Sequence, residues 1–267
     1  MYKLIAVDLD DTLLNDQLDI TEGTRSAIYA AMERGAVFTI ATGRMFASAR
    51  KIAAKLGLEV PLITYQGALV KHASDGTVIY ERNVPPEVVR YVFEYAAKNG
   101  LHLQAYHNDT LLAKEENERL KGYAKLNNIA YEIEPDFDRL AEKTAPKLLM
   151  IDEPEVLDRV LVELKAAVGD KAHITKSKPH FLEIMHPEGT KGHALTRLAE
   201  HYGIKQEETI GIGDSWNDHE LVEQAGLGVA MENAVDSLKQ VADYVTRSNN
   251  DEGVRHVIEK FVLEDQN

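Results

Sequence analysis

The sequence alternates short apolar runs, each bounded by turn-forming residues, with longer segments whose apolar residues recur at helical spacing. This alternation is typical of a parallel sheet covered by helices, because parallel strands are buried on both faces and are joined by crossover helices. We predict helices at residues 21–34 and 45–56, which end near Gly35 and Gly57. The predicted buried strands are residues 4–7, 36–41, 61–64, 209–212 and 227–230. We therefore expect an α/β fold whose core is a Rossmann-like, doubly wound parallel sheet.

The middle of the chain has a different pattern. Pro85 and Pro86 precede an apolar stripe at helical spacing, and residues 101–106 then alternate apolar and polar side chains before the turn-forming pair Asn108-Asp109. Further on, strands are predicted at residues 147–151, 172–175 and 181–185, with a helix at residues 156–164. We predict that residues 84–185 form an inserted α+β domain and that residues 1–83 and 186–267 form the core. Two connections between these domains imply a hinge.

Acidic residues dominate the charge of this 267-residue chain: 44 Asp and Glu stand against 30 Lys and Arg, a formal net charge of −14. This balance argues against a nucleic-acid or anionic-membrane partner, because such partners need clustered Lys and Arg. The chain has no cysteine, so disulfides, thiolate nucleophiles and thiolate metal sites are excluded and any metal must bind to oxygen or imidazole. The first apolar run is too short for a signal-peptide core and none approaches a membrane span, so we expect a cytoplasmic protein.

The first chemical feature is an acidic cluster, Asp8-Leu9-Asp10-Asp11-Thr12, directly after the predicted strand at residues 4–7. Ligands of open α/β sheets bind at this end of the strands. A single Asp here could equally cap the following helix. Three Asp in four residues repel one another and need a cation or a proton, and a hard cation such as Mg²⁺ suits oxygen ligands. At i+2, Asp10 is expected to share a strand face with Asp8.

A second acidic cluster, from Gly211 to Asp218, follows the predicted strand at residues 209–212. Two strand ends of one sheet can be neighbours despite the 200 residues between them, so Asp214 and Asp218 are candidate metal ligands. We expect Gly211 and Gly213 to let the backbone approach a ligand closely. A dinucleotide fingerprint is excluded, because the third glycine is absent and position 216 holds a Trp.

Two further segments favour phosphate binding. Thr42-Gly43-Arg44 ends a predicted strand and offers a hydroxyl and a free backbone N–H, although Thr42 could also be an ordinary helix N-cap. Lys191 lies at the start of a predicted helix, where its charge opposes the helix dipole unless an anion binds there.

Together these four segments resemble the four motifs of the haloacid dehalogenase (HAD) superfamily, in order and in spacing, over essentially the whole chain. The inserted domain resembles the α/β cap (type C2B) of the Cof-like type IIB phosphatases. Two residues depart from the commoner family pattern, namely Gln66, where Asn is usual, and Trp216 within the fourth motif. Neither departure removes a catalytic group.

The resemblance implies a Mg²⁺-dependent phosphatase that acts on small phosphorylated metabolites through an aspartyl-phosphate. Asp8 would be the nucleophile and Asp10 the general acid and base. Mg²⁺ would be bound by the Asp8 carboxylate, the Asp10 backbone carbonyl and Asp214. Asp218 and Arg44 would support the site, with Asp218 orienting Lys191 or a metal-bound water. The implied phosphoryl-binding residues are Leu9, Thr42, Gly43, Lys191 and Asn217.

Two other functions share these residues. A phosphomutase of the same superfamily would move the phosphoryl group within a sugar, and a regulatory protein would bind a phosphorylated ligand without turnover. The sequence leaves open the physiological substrate, whether a sugar phosphate, pyridoxal phosphate or a flavin-pathway phosphate, and also the oligomeric state.

Overall fold

The computed structural model describes residues 2–136, 139 and 141–264, and within these residues the strands form two sheets. The strands of the larger sheet are β1 (Leu4–Asp8), β2 (Val37–Ala41), β3 (Pro61–Thr64), β4 (Leu69–His72), β5 (Val78–Glu81), β12 (Thr209–Gly213), β13 (Leu227–Ala230) and β14 (Tyr244–Val245). The strands of the smaller sheet are β6 (His102–His107), β7 (Thr110–Ala113), β8 (Tyr131–Ile133), β9 (Lys147–Ile151), β10 (His173–Lys178) and β11 (Phe181–Met185).

The α-helices of the described residues connect and cover these strands. Their bounds are α1 (Glu22–Glu33), α2 (Phe46–Lys55), α3 (Pro86–Asn99), α4 (Glu118–Asn127), α5 (Pro154–Val168), α6 (Lys191–Tyr202), α7 (His219–Gln224), α8 (Asp236–Val241) and α9 (Gly253–Ile258).

The larger sheet has the order β14-β13-β12-β1-β2-β3-β4-β5. The chain runs outward from β1 to β3 through parallel neighbours and later returns to the other side of β1 at β12, again in parallel. The strand order therefore reverses between β1 and β12, which is where doubly wound sheets bind ligands. At one end of this sheet, β4 pairs antiparallel with β3, and β5 pairs antiparallel with β4. These two strands extend the predicted parallel sheet and were not predicted from the sequence.

Successive residues of β1 belong to different hydrophobic layers. Ile5 and Val7 belong to the cluster that contains Ile28 of α1, whereas Leu4 and Ala6 pack in the cluster that contains Leu195 of α6. Because side chains alternate along a strand, this division shows helices on both faces of the sheet and confirms the predicted doubly wound core.

The smaller sheet has the order β10-β11-β9-β6-β7-β8. Helices α3 and α5 pack on one of its faces through their own hydrophobic cluster. Its other face contributes Tyr106, Leu149 and Ile151 to the cluster of the larger sheet. We refer to residues 84–185 as the cap; these boundaries remain a prediction.

Most predicted strands match the structure closely. Residues 61–64, 147–151, 181–185 and 227–230 were predicted with the observed bounds. The strands that were missed, β4, β5, β8 and β14, have two to four residues each. None of the helices in the described part of the chain is both long and apolar enough to cross a lipid bilayer.

Candidate active site

The two acidic clusters meet at the edge where the strand order reverses. Asp8 is the last residue of β1, Asp214 directly follows β12, and Val7 of β1 lies opposite Ile212 of β12 in the sheet. Thr12 donates a hydrogen bond from its hydroxyl to Oδ1 of Asp214, at 2.8 Å. The sequence therefore placed the two carboxylates on the correct edge and next to each other.

Three carboxylates face one ammonium group at this edge. Asp8, Asp214 and Asp218 each offer an oxygen, and these oxygens lie within 4.8 Å of one another. Lys191 is fully buried and donates to Asp8 and to Oδ1 of Asp218, the latter at 2.6 Å. Thr190 caps α6 by accepting from the His193 N–H, which fixes Lys191 at the first helical position. The carboxylates thus explain the unfavourable position of Lys191 at a helix N-terminus.

Burial and the neighbouring charges shift the pKa values of three groups at this edge: Asp8, Asp214 and Lys191. Burial raises the pKa of Asp8 well above its usual range; Lys191 opposes the shift, and the neighbouring carboxylates add to it. The pKa of Asp214 is raised to about 7, first by burial and then by Asp218. Burial lowers the pKa of Lys191, but Asp218 and Asp8 outweigh it and raise the value overall. A cation at this edge would relieve the repulsion.

The donor set fits Mg²⁺. Asp218 uses both carboxylate oxygens, one for Lys191 and one for the backbone N–H groups of Asp214 and Ser215 at 3.0 Å. Among the described residues, the hydrogen bonds of Asp8 and Asp214 engage one oxygen of each carboxylate. The second oxygens remain for a cation, and Mg²⁺ commonly takes one or two carboxylates and completes its shell with water and phosphate oxygens.

The position of Asp10 corrects one expectation. Strand β1 ends at Asp8, and Asp10 lies in the irregular segment Leu9–Leu13, with its own backbone extended (φ −82°, ψ 128°). Asp10 is therefore outside the strand on which it was expected to share a face with Asp8. Its carboxylate instead accepts two hydrogen bonds from the Arg44 guanidinium, at 2.6 and 2.8 Å. A bidentate pair of this kind fixes both position and orientation, and it gives Arg44 a supporting contact.

A cavity of about 290 Å³ opens beside these carboxylates. Thr42, Gly43 and Asn217, which were predicted to bind the phosphoryl group, all line it, together with Asp8 and Asp214. Leu9 directly follows Asp8, with its side chain buried in the core. The structure therefore brings Thr42, Gly43 and Asn217 to one cavity, whose lining does not include Leu9 or Lys191; the roles of all five residues remain predictions.

The glycines of the second cluster allow close packing of the protein around β12. A Cβ at Gly211 would lie 2.5 Å from the Leu221 carbonyl oxygen of α7, and one at Gly213 would lie 2.4 Å from the Asp218 side chain. Both distances are shorter than van der Waals contact, so these glycines let α7 and Asp218 pack against β12. Close approach of a ligand at these positions stays a prediction.

Sequence reasoning did not identify the cap residues that form the opposite wall of the cavity. They come from α4 and from the strands β9, β10 and β11: Tyr123, Asn127, Lys147, Ser177, Lys178, Pro179, Phe181 and Glu183. Lys178 lines the cavity, and its ammonium lies 3.8 Å from Asp11. Only tertiary structure brings these residues near the catalytic edge, so no local signal marked them.

Comparison with known proteins agrees with this geometry. A family model described as haloacid dehalogenase-like hydrolase matches residues 5–258. The chain belongs to the haloacid dehalogenase-like hydrolases. The YxeH protein of Bacillus subtilis is 33% identical over 98% of this chain and 99% of its own length. A 5-amino-6-(5-phospho-D-ribitylamino)uracil phosphatase of the same organism is 31% identical, over 97% of this chain and 98% of its own.

Solved structures of this superfamily share the whole architecture. A crystal structure from Thermotoga maritima is 39% identical with a TM-score of 0.84, covering 99% of this chain and all of that one. A subclass IIB sugar phosphatase of the superfamily has a TM-score of 0.85 at 25% identity, covering 97% and 98% of the two chains. The predicted family, its subclass and the assignment as a phosphatase enzyme are confirmed.

Proposed function

We propose that this HAD phosphatase hydrolyses small phosphorylated metabolites by Mg²⁺-assisted transfer of the phosphoryl group to Asp8. One observation carries the proposal: Asp8 and Asp214 end neighbouring parallel strands, lie against a buried Lys191 and open onto the cavity between core and cap. Phosphoryl transfer requires mainly positioning and charge neutralisation, and this edge supplies both.

Asp8 would attack the phosphorus atom as the bond to the leaving oxygen breaks, which leaves the phosphoryl group on the Asp8 carboxylate. Asp10 would protonate the departing oxygen, then accept a proton from the water that attacks the aspartyl-phosphate and releases inorganic phosphate. Arg44 holds the Asp10 carboxylate at 2.6 and 2.8 Å, so Asp10 starts from a defined position. One of these hydrogen bonds would have to open before Asp10 carries the proton to the departing oxygen.

The remaining charge on the phosphoryl group would be balanced from two sides. Asp8, the Asp10 backbone carbonyl and Asp214 would hold Mg²⁺, which would neutralise charge between the attacking carboxylate and the phosphate. Lys191, held by Asp218 at 2.6 Å, would contact the transferring group, and Thr42, Asn217 and the backbone at Leu9 and Gly43 would donate hydrogen bonds to it. The cap closes the opposite side of the cavity and would exclude bulk water during transfer.

The space available limits the substrate. The cavity of about 290 Å³ is at the small end of ligand pockets, and both phosphate and leaving group must fit within it. The relatives include phosphatases named for a ribityl-aminouracil phosphate and for HMP-PP, and another structure is that of a sugar phosphatase. We therefore propose sugar phosphates and cofactor-pathway phosphates as the substrate class.

The test is a phosphate-release assay against a panel of such metabolites, with MgCl₂ and with EDTA. We expect release of inorganic phosphate from at least one compound with Mg²⁺ and none with EDTA. Isomerised sugar phosphate in place of free phosphate would identify a phosphomutase instead. Saturable metabolite binding without any product would identify a binding protein.

A further inference from the structure

A chain of buried polar side chains crosses from the cap to the core beside the cavity. Lys147 of β9 donates to Oε1 of Glu183 at 2.8 Å, and the second oxygen of Glu183 accepts from the side-chain amide of Gln66. The Gln66 amide oxygen in turn accepts from Nδ2 of Asn217, at 2.8 Å. We call Lys147, Glu183 and Gln66 the core–cap bridge.

The bridge is deeply buried, with Lys147, Glu183 and Gln66 exposed by 1%, 3% and 2%. A buried ion pair is rarely a net source of stability, because desolvation offsets the attraction. The Lys147 ammonium also donates to the Gly43 carbonyl at 2.7 Å and lies 5.2 Å from the Tyr106 ring, so its three N–H groups are directed at protein partners. The bridge is therefore suited to holding core segments in place and has little capacity left to bind a leaving group.

The charges of the bridge determine the orientation of Asn217. An ionised Glu183 only accepts hydrogen bonds, so Gln66 must turn its NH₂ group towards Glu183 and its carbonyl oxygen towards Asn217. Asn217 must then turn its own NH₂ group towards Gln66. Its Oδ1 atom is buried without a partner among the described residues. The hydrogen bond that Glu183 of the cap accepts from Gln66 thus fixes the orientation of the Asn217 amide, which lines the cavity.

The bridge also reaches the second phosphoryl-binding segment. Lys147 holds the Gly43 carbonyl, and a Cβ at Gly43 would lie only 2.4 Å from Nε2 of Gln66. Gln66 itself has a left-handed backbone, with φ of 63°, in the turn that follows β3. Asn217 and Gly43 come from distant segments, and both depend on the same three side chains for their position.

We propose that Gln66, Glu183 and Lys147 are positioning residues that orient Asn217 and Gly43 for the phosphoryl group when the cap lies against the core. This proposal rests on the phosphatase function proposed above. It makes phosphoryl binding depend on cap contact, through residues that touch neither the phosphorus nor the metal. Two of the three residues belong to the cap, so separation of the cap from the core would release the Asn217 amide.

The test is a double-mutant cycle between Gln66→Asn and Asn217→Ala, read by the Kd of inorganic phosphate with MgCl₂ in isothermal titration calorimetry. Asn tolerates the left-handed backbone of position 66 but is one methylene too short to span Glu183 and Asn217. We expect Gln66→Asn to weaken phosphate binding roughly 10-fold in the wild-type background, the scale of a small misplacement. The loss should be clearly smaller in the Asn217→Ala background, where only the effect through Gly43 remains. kcat/KM for an aryl phosphate should follow the same pattern.

A second variant, Glu183→Gln, breaks the chain from the cap side without changing side-chain volume, and should give the same dependence on Asn217. Tyr65→Phe is the matched control, since the Tyr65 hydroxyl joins core to cap through Asp109 at 2.7 Å without contacting Asn217; it should change the Kd less than twofold.

Three results would contradict the positioning role of the core–cap bridge. They are equal losses of phosphate affinity in the wild-type and Asn217→Ala backgrounds, no loss in either background, and an equally large loss in Tyr65→Phe. Because calorimetry needs no turnover, a wild type that binds phosphate but releases none from any substrate contradicts the proposed function alone. A wild type that fails to bind phosphate contradicts both proposals.

Discussion

The core and the cap each bury charged side chains, but they balance them differently. At the catalytic edge Asp8, Asp214 and Asp218 face the single ammonium of Lys191. In the cap one ammonium, Lys147, faces one carboxylate, Glu183, at 2.8 Å. The core cluster therefore has an excess of negative charge that calls for a cation, whereas the cap pair is complete. We infer that the first is built to receive a ligand and the second to hold its neighbours.

The largest expected effect is that of Asp8→Asn, which keeps the size of the side chain and removes the nucleophile. Turnover of an aryl phosphate should fall by at least about a thousandfold, as when other enzymes lose a covalent nucleophile. The measurement is phosphate release with saturating MgCl₂. Asp16→Asn, at an exposed position before α1, is the control and should retain wild-type turnover. Near-wild-type turnover in Asp8→Asn would remove Asp8 as the nucleophile.

Arg44→Lys tests the proton donor. A lysine cannot reproduce the two hydrogen bonds that Arg44 makes to Asp10, so kcat should fall on the order of 10-fold while thermal stability changes little. Steady-state kinetics beside a melting curve separates these effects. A change in KM alone would show that Arg44 binds substrate and does not position Asp10.

Removing the ammonium from each region sharpens the comparison. Lys191→Met and Lys147→Met should each lower the free energy of unfolding by roughly 3–5 kcal/mol, because each leaves a buried carboxylate unpaired. In the cap, Lys147→Met/Glu183→Leu should recover at least half of the loss. Added MgCl₂ should reduce the difference in unfolding free energy between the wild type and Lys191→Met when both are measured at the same MgCl₂ concentration. It should leave the corresponding difference for Lys147→Met unchanged.

Urea unfolding of the wild type and these variants, with and without MgCl₂, measures the two losses, the recovery in the double variant and the effect of Mg²⁺ on each. If Mg²⁺ stabilises the two single variants equally, the distinction between an incomplete core cluster and a complete cap pair is wrong.

The smallest expected effect concerns His102, a buried neutral group of the cap. Burial lowers its pKa below the usual 6.5, and the nearby Arg119 adds to this shift, against a hydrogen bond to Gln104. The unfolded chain therefore binds a proton near pH 6.5 that the folded chain resists, so this residue's contribution to stability falls as the pH drops below about 6.5. His102→Gln should flatten the loss of unfolding free energy between pH 7 and pH 5.5.

Urea titrations at several pH values measure that slope, and His201→Gln, at an exposed position, is the control. Parallel slopes for wild type and His102→Gln would show that His102 contributes nothing to the pH dependence.

The same contrast explains how far the sequence alone could lead. The acidic clusters could be placed because each directly follows a buried strand, and strand ends of a parallel sheet meet at one edge. The links from Gln66 to Glu183 and Lys147 could not be placed from the sequence. Glu183 comes 117 positions after Gln66 and Lys147 comes 81 positions after it, and only the packing of one sheet on another brings them together. The strand face expected for Asp10 was wrong because β1 ends at Asp8 and an irregular segment follows, in which Asp11 has a left-handed backbone with φ of 63°.

The most direct test of the charge excess at the catalytic edge is calorimetric titration of Mg²⁺ into the wild type and into Asp214→Asn. Asn keeps the shape of the side chain and removes the charge, and Asp214 contributes one of the two carboxylates left open for a cation. We predict one Mg²⁺ per wild-type chain and at least a 10-fold weaker Kd in Asp214→Asn. Equal Mg²⁺ affinity in the two proteins, or no binding by the wild type, would contradict the cation site.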